Sequence, residues 1–497
     1  MNLTPLRRRL LITSLLTVSF LGALDHTVVA TSLATIAGDL GAVEQMSWII
    51  VAYTLASTVL LPVLGKLADM LGARLIFLAS LVLFLVASLF CGFAQDIAQL
   101  TLARVAQGIG SAGLHLMPQT IVGEVATPRE RPGILSIIGA AFPIAILVGP
   151  LAGGLITDTW GWRWVFWINL PVGLIALVLA MIAVPHIGAR AKRRFDVAGA
   201  LVLGVTITAF VLGASWASAG QSGALVIIAA VVAVAGLAAF VAIELRAPEP
   251  IVPLRHFAHR TILICVILST VIGVGLFSIV SYVPTYIQMA YGTSATVSGL
   301  IPIATVFGML VSSLSTGWLA SRSGRYRPFP IFGTAAAVVG LVAMAVIPVG
   351  APLWLPMLAM GVVGVGTGSF MNIIVAVAQS AAAREDTGSV TATVSLVRQV
   401  GSTTATAIVG SLIGVGVTAG LPAGLDSSTL TPTAVAAASP AVQAQVAELY
   451  AHVMTPIFLG LAVAYALGIV AALLLPRGRL TDEIEEPART AAEAAIV

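Results

Sequence analysis

Charge is scarce in this chain. Only 9% of its 497 residues are charged and 59% are hydrophobic, whereas a soluble domain carries about 25% charged residues. A soluble fold of this size is thereby excluded. Cysteine is nearly absent too: Cys91 and Cys265 each lie inside an apolar run, so neither a disulfide framework nor a metal site is indicated. There are two lysines, Lys66 and Lys192, followed by leucine and arginine. Neither completes G-x-x-x-x-G-K-[ST], so the chain offers no ATP-binding loop, and an ATP-driven activity would need another subunit. No nucleophile–base constellation appears, His256-x-x-His259 is too sparse for a metal site, and neither an enzyme nor a cofactor is expected. The formal net charge of +4 suits contact with anionic lipid headgroups rather than nucleic acid.

What the chain has instead is apolar length. About fourteen runs of roughly 18–25 residues are each long enough to cross a ~30 Å hydrocarbon core at 1.5 Å per residue. They cover 10–33, 47–65, 75–94, 97–121, 133–157, 164–184, 196–216, 223–244, 261–287, 296–320, 329–349, 353–378, 388–416 and 453–475. The first run follows a basic start, as in a signal peptide, but is too long and lacks a cleavage site, so it reads as a retained helix. Bases fall in alternate gaps: Arg7–Arg9, then Lys66 and Arg74, Arg129 and Arg131, the Arg190–Arg194 cluster, Arg246 to Arg260, Arg322 to Arg327, Arg384, and Arg477 to Arg489. The intervening gaps carry Asp39, Glu44, Asp96, Asp158, Asp426 and Glu448, with Arg163 the one exception. Cytoplasmic loops retain Lys and Arg, so an even number of spans with both termini cytoplasmic is expected. Arginine-over-lysine usage with abundant Ala, Gly and Val suggests a GC-rich bacterium, hence a multi-pass protein of the bacterial inner membrane.

A repeat organises the runs. Gly65-Lys66-Leu67-Ala68-Asp69-Met70-Leu71-Gly72 closes the second, and Gly317-Trp318-Leu319-Ala320-Ser321-Arg322-Ser323-Gly324 closes the tenth. Both read G-x-L-A-x-x-x-G on the same side. The spacing predicts an all-α polytopic membrane protein: two pseudo-symmetric six-helix bundles plus two inserted helices, fourteen transmembrane helices in all. The divisions are an N-terminal bundle over 1–186, the inserted pair over 187–250, a C-terminal bundle over 251–479 and an acidic cytoplasmic tail over 480–497. A two-fold-repeated helical bundle is the architecture of alternating-access carriers, with the substrate site near mid-membrane.

Four motifs carry a resemblance to the major facilitator superfamily, in particular its fourteen-span drug:proton antiporter branch, over essentially the whole chain. Leu24-Asp25-His26-Thr27-Val28-Val29 resembles L-D-x-T-[IV]-V. The segment from Gly65 to Arg74 is similar to G-x-L-A-D-R-x-G-R-R, departing at Met70 and Ala73, where arginines are usual. Leu100 to Gly110 resembles l-x-x-x-R-x-x-Q-G-x-G, and Gly149-Pro150-Leu151-Ala152-Gly153-Gly154 the antiporter motif G-P-x-x-G-G, with Ala145 at an upstream family glycine. The resemblance implies a proton-driven exporter of lipophilic, often cationic drugs, working as a monomer with protons, small lipophilic or cationic substrates and membrane lipid as partners. Export of an endogenous lipid or secondary metabolite is the alternative, and a passive facilitator or channel a further one.

An ionisable residue within the hydrocarbon is a functional candidate, because its burial is costly. Asp25 and Arg104 lie at nearly equal depth on the first and fourth runs and are expected to pair, directly or through water. Burial raises a carboxyl pKa and a guanidinium lowers it, so such a pair suits proton coupling. By resemblance, Gly65, Asp69, Gly72 and Arg74 form a cytoplasmic latch, with Arg74 and Arg131 candidate partners of Asp69. Gly149, Pro150, Gly153 and Gly154 form a close-packing motif that biases toward export. Tyr53, Phe142, Tyr282, Tyr286, Gln288, Phe307, Phe370, Asn372 and Arg398 are candidates for a mainly apolar pocket. Arg398 is read as a structural anchor or a contact for an anionic or lipid-like substrate, Glu124 as a solvated acid or a proton-exit residue, and His26 and His115 as cavity or packing residues.

Overall fold

The computed structural model describes residues 4–185, 195–218, 222–421 and 431–482. The Arg190–Arg194 cluster and most of the tail lie outside these. The first helices are α1 (Pro5–Asp39), α2 (Ser47–Leu71), α3 (Ala73–Phe93), α4 (Ile97–Val125), α5 (Arg131–Gly139), α6 (Ala141–Trp160), α7 (Arg163–Trp167) and α8 (Asn169–Ala183). A pair follows, α9 (Val197–Ser218) and α10 (Gly223–Glu244). The second set is α11 (Arg260–Tyr291), α12 (Ala295–Ser323), α13 (Pro328–Val346), α14 (Trp354–Ala381), α15 (Thr387–Gly420), the short α16 (Pro432–Ala436) and α17 (Pro440–Leu473). No strand occurs among the described residues; an isolated bridge joins Arg325 to Arg479.

Thirteen helical segments among the described residues are long and apolar enough to cross a membrane. The remaining run, 97–121, is also helical, as the 29-residue α4, but Arg104, Gln107, Gln119 and Glu124 dilute its apolar content. Large side chains such as Leu102, Leu151, Val234 and Leu467 are exposed along these helices. Such a surface belongs in hydrocarbon, where apolar exposure carries no penalty.

Helix ends follow local chemistry. Thr4, Asp96, Ser294 and Ser439 each accept a backbone N–H at the start of α1, α4, α12 and α17. The fifth and sixth runs are each interrupted, at Ala140 and at Ile168. Pro143 and Pro171 contribute to the breaks, because neither can donate to the carbonyl four residues back, although Pro62, Pro118 and Pro150 lie inside unbroken helices. The last glycine of each repeat copy ends its helix with positive φ, 92° at Gly72 and 69° at Gly324. Side chains rarely tolerate that conformation. Three boundaries differ most from the sequence reading: α1 continues to Asp39, α2 to Leu71, and α17 starts at Pro440. Polar residues such as Thr31 and Ser32 do not stop a helix whose backbone groups are bonded internally, and a helix projecting beyond hydrocarbon simply continues in water.

The two sets repeat their packing. In the first, α2 and α3 lie on α4, α1 on α6 and α8, and α3 on α8. In the second, α12 and α13 lie on α14, α11 on α15 and α17, and α13 on α17. The α9–α10 pair rests against α2 and α15. Between the sets, α2 meets α15 and α5 meets α12. The first and last described segments lie at one end: Arg8 pairs with Glu130 at 2.8 Å and Arg129 with Asp482 at 2.9 Å. This is called the terminal end below.

Candidate functional site

Asp25 and Arg104 meet deep inside the first set. Arg104 Nη1 donates to Asp25 Oδ2 at 2.8 Å, and both side chains are almost wholly buried. Counted along α1, Asp25 is fourteen residues before Asp39, roughly 21 Å and farther from that end than the shorter expected span implied. The other carboxylate oxygen accepts from Gln107 Nε2 and Asn169 Nδ2, each at 2.8 Å. Arg104 also donates to Gln107 Oε1 at 2.7 Å and to the Ile49 carbonyl at 3.3 Å. Ser88 accepts from Gln107 and Asn169 and donates to the Phe166 carbonyl at 2.8 Å.

Tyr53 closes one side of this network. Its ring lies 4.0 Å from the Arg104 guanidinium carbon, within cation–π range. Its hydroxyl donates to Ser111 Oγ at 2.5 Å. The neighbouring His26 is exposed and stands 6.1 Å from the Tyr53 ring. A buried charge pair whose carboxylate oxygens both accept further hydrogen bonds has part of its desolvation penalty offset.

Sequence reasoning named Asp25, Arg104 and Tyr53 but not the roles of Gln107, Asn169 or Ser88. Gln107, three residues after Arg104, shares its helical face, which is a usable signal. Asn169, an amide within an apolar run, is a weaker one, and Ser88 leaves none.

At the terminal end Asp69 joins the two sets. It accepts from the backbone N–H of Gly388 at 2.7 Å and of Ser389 at 2.8 Å, and from Ser389 Oγ at 2.5 Å. These groups open α15, where an acid is favoured by unpaired N–H groups and the helix dipole. Arg74 and Arg131, expected as its partners, go elsewhere. Arg74 donates to the Val184 and Met181 carbonyls at the end of α8. Arg131 donates to Gly123 and Ala126 at the end of α4 and to Ser380. The reason is that exposed carbonyls at helix ends satisfy a guanidinium fork locally. Gln379 reaches the Gln119 carbonyl at 3.0 Å and Arg384 the Glu124 carbonyl at 3.2 Å, so the sets are joined tightly at this end. Glu124 itself is buried there. Lys66, also buried, pairs with Glu249 beyond α10 at 2.9 Å.

The G-P-x-x-G-G segment packs α6 on α1. A Cβ on Gly149 would collide with Thr27, and one on Gly153 with Thr31 and Val28. Thr27 Oγ1 bonds to the Ala145 carbonyl at 3.1 Å across the same seam. Pro150 is exposed, and Gly154 has open space where a Cβ would lie. The contact is thus made by Gly149 and Gly153.

The pocket candidates disperse. Phe370 and Tyr286 are buried, Tyr286 against Phe458 and Tyr291. Tyr282, half-buried, donates to the Thr406 carbonyl, and Asn372 donates to Ser313 Oγ at 2.9 Å. Phe142 and Gln288 are half-buried, whereas Phe307 is exposed. Arg398 lies opposite His115 of α4, Nη2 to Nε2 at 3.5 Å.

Membrane-length helices packed twice in the same pattern, joined at one end and enclosing a buried charge pair, define a polytopic helical membrane protein. The Major Facilitator Superfamily model matches residues 15–406. The chain belongs to that superfamily. It is 34% identical over 490 residues to an uncharacterized MFS-type transporter of Mycobacterium tuberculosis, covering 97% of this chain and 71% of the relative. To the multidrug transporter protein MdtP of Bacillus subtilis it is 32% identical over 410 residues, 82% of this chain and 75% of the relative. Multidrug resistance protein 3 of Bacillus subtilis is 30% identical over 400 residues, 79% and 77% respectively. Among solved structures, the human organic anion transporter MFSD10 matches with TM-score 0.63 at 14% identity, covering 94% of this chain and 100% of that one. The proton:xylose symporter XylE matches with TM-score 0.60 at 15% identity, covering 95% and 98%. At such identities these likenesses show the fold alone.

Proposed function

We propose that this protein is a secondary active exporter that uses the proton gradient to extrude lipophilic small molecules by alternating access. In this reading fourteen helices form two six-helix bundles, α1–α8 and α11–α17, with α9 and α10 inserted between them. The terminal end faces the cytoplasm of a bacterial cell, the joined ends of the bundles make the state open to the outside, and the protein works as a monomer.

The observation that carries the reading is the buried Asp25–Arg104 pair. The acid and its guanidinium partner sit on different helices, so a modest rearrangement of α1 against α4 would separate them and leave the acid to exchange a proton. The energetics suffice: one charge crossing ~150 mV releases about 3.5 kcal/mol, enough at 1.4 kcal/mol per tenfold for a gradient of roughly 300-fold. The multidrug relatives support efflux of lipophilic compounds. A passive facilitator has no need of a buried intramembrane ion pair.

Export of an endogenous lipid or secondary metabolite is a second reading, favoured by the cationic Arg398 beside His115. The test of the main reading is efflux of a fluorescent lipophilic dye from cells, with and without a protonophore. Native protein should lose efflux when the gradient collapses, and Asp25→Asn should lose it without a protonophore. Full efflux by Asp25→Asn, or insensitivity to the protonophore, would overturn proton coupling through this residue.

A further inference from the structure

Charge within the membrane-length helices is unevenly neutralised. Asp25 is the acid that lies mid-helix among the described residues; the others stand near helix ends. Its two oxygens are occupied by Arg104, Gln107 and Asn169, and its side chain is sealed from solvent. No acid among the described residues is therefore presented to a substrate in the middle of the bundle.

Arg398 is the opposite case. It lies eleven residues into α15 from Thr387, about 16 Å from the terminal end, and is only 6% exposed. A guanidinium carries five N–H donors and keeps its charge. Among the described residues its one hydrogen bond is the 3.5 Å contact with His115 Nε2. No salt bridge among the described residues includes it.

The surroundings of Arg398 point to a missing oxygen ligand. His115 is exposed, although α4 is packed by α1, α2, α3, α14 and α15. Because Arg398 reaches it from α15, His115 faces the seam between the two sets, so open volume borders the pair. One turn toward the terminal end on α15, the Ser395 hydroxyl is buried with no partner. Residues three apart share a helix face, so this hydroxyl lies on the same side of α15 as Arg398. Beneath them Gln379, bonded to Thr391 at 2.9 Å and to the Gln119 carbonyl, closes the floor.

We infer that Arg398, His115 and Ser395 recognise an acidic group, a carboxylate or a comparable oxygen anion, on a lipophilic substrate. The protein then prefers lipophilic organic acids over lipophilic cations. This deepens the export reading and rests on it. A guanidinium binds a carboxylate with two parallel, charge-assisted bonds, and a third donor is available from the serine hydroxyl. A cation placed in the same seam meets an unneutralised like charge in low dielectric, which is how a site rejects the wrong partner. The energetics agree in sign: an anion leaving the cell moves with an inside-negative potential, as does a proton returning.

The test uses full-length purified protein in detergent and three fluorescent probes: a BODIPY-labelled dodecanoate, its methyl ester and a trimethylammonium analogue of equal chain length. Native protein should bind the carboxylate at least about tenfold more tightly than the ester, and the trimethylammonium probe most weakly. Arg398→Gln should abolish the preference for carboxylate over ester, and Arg398→Lys should keep part of it. Equal affinity of the native protein for all three, or preference for the trimethylammonium probe, overturns the inference even if no variant folds. An unchanged preference in a folded Arg398→Gln protein overturns it too. Proton-driven movement of all three probes in proteoliposomes is measured in parallel: failure to move any of them refutes export, whereas an altered ranking of probes refutes only the acid site.

Discussion

Asp69 and Ser321 stand at the same place in the two copies of G-x-L-A-x-x-x-G and hold the same feature of the opposite helix set. Asp69 accepts the N–H groups that open α15, and Ser321 Oγ accepts the Gly133 N–H in the first turn of α5 at 2.9 Å. The first glycine of each copy lets the helices approach. A Cβ on Gly65 would lie 2.5 Å from Ala392 Cβ and 2.8 Å from the Gly388 carbonyl, and one on Gly317 would meet Ser136 and Pro132. The clasp is symmetric in position but not in strength, since one copy uses a charge and the other a hydroxyl.

That asymmetry predicts unequal effects on closure of the terminal end. Hydrogen bonds to a charged group contribute about 1.5–3 kcal/mol each and neutral ones about 1 kcal/mol. Asp69→Ala should shift the population away from the closed terminal end by at least about tenfold, Ser321→Ala by about fivefold. Distances between spin labels on α2 and α15 at this end report the populations. An Asp69→Ala effect no larger than that of Ser321→Ala would contradict a charge-dominated clasp.

The buried pair separates coupling from folding. Asp25→Asn leaves Arg104 as an uncompensated buried charge and should cost about 3–5 kcal/mol, read as a lower unfolding temperature in detergent. The double variant Asp25→Asn/Arg104→Gln should recover most of that loss yet remain inactive in proton-driven efflux. Recovery of efflux in the double variant would show that the pair serves packing alone.

Asn169 and Gln107 hold one oxygen of Asp25 from two helices. Asn169→Leu should therefore cost about 1–3 kcal/mol of stability, read as a lower unfolding temperature in detergent. A variant as stable as the native protein would mean that Gln107 alone holds that oxygen.

The α1–α6 seam distinguishes the glycines of the G-P-x-x-G-G segment. Gly149→Leu and Gly153→Leu should abolish folded, transport-competent protein, since each side chain would displace α1. Gly154→Ala should keep transport and change stability by no more than about 1 kcal/mol, in the stabilising direction expected for an unobstructed helical glycine. Yield of folded protein by size-exclusion chromatography and dye efflux together decide; failure of Gly154→Ala would show that its open surroundings are filled in another state.

Legibility in the sequence varied with the reach of the interaction. Each apolar run was readable as helical because hydrocarbon admits only chains that satisfy their own backbone groups, and every run proved helical. The two proline-linked breaks were not readable from proline alone, since Pro62, Pro118 and Pro150 also remove a donor and leave their helices unbroken. Arg163, the exception among the acidic gaps, found its explanation only in space: it meets Asp39 at 3.2 Å and lies over Trp162. The partner of Asp69 was misjudged because charge attracts notice in a sequence, whereas the N–H groups at a helix start are carried by any residue type.

By itself the sequence determined that this chain is a multi-pass helical membrane protein with a duplicated pattern. Composition and periodicity act over one helix at a time, and a low-dielectric solvent enforces them strictly. Tertiary structure alone decided which intramembrane charges are answered. Asp25 is neutralised from α4 and α8, Asp69 by α15, and Arg398 by no acid among the described residues. Those outcomes depend on how each helix is rotated and how closely it approaches segments tens to hundreds of residues away, and local spacing carries no record of either.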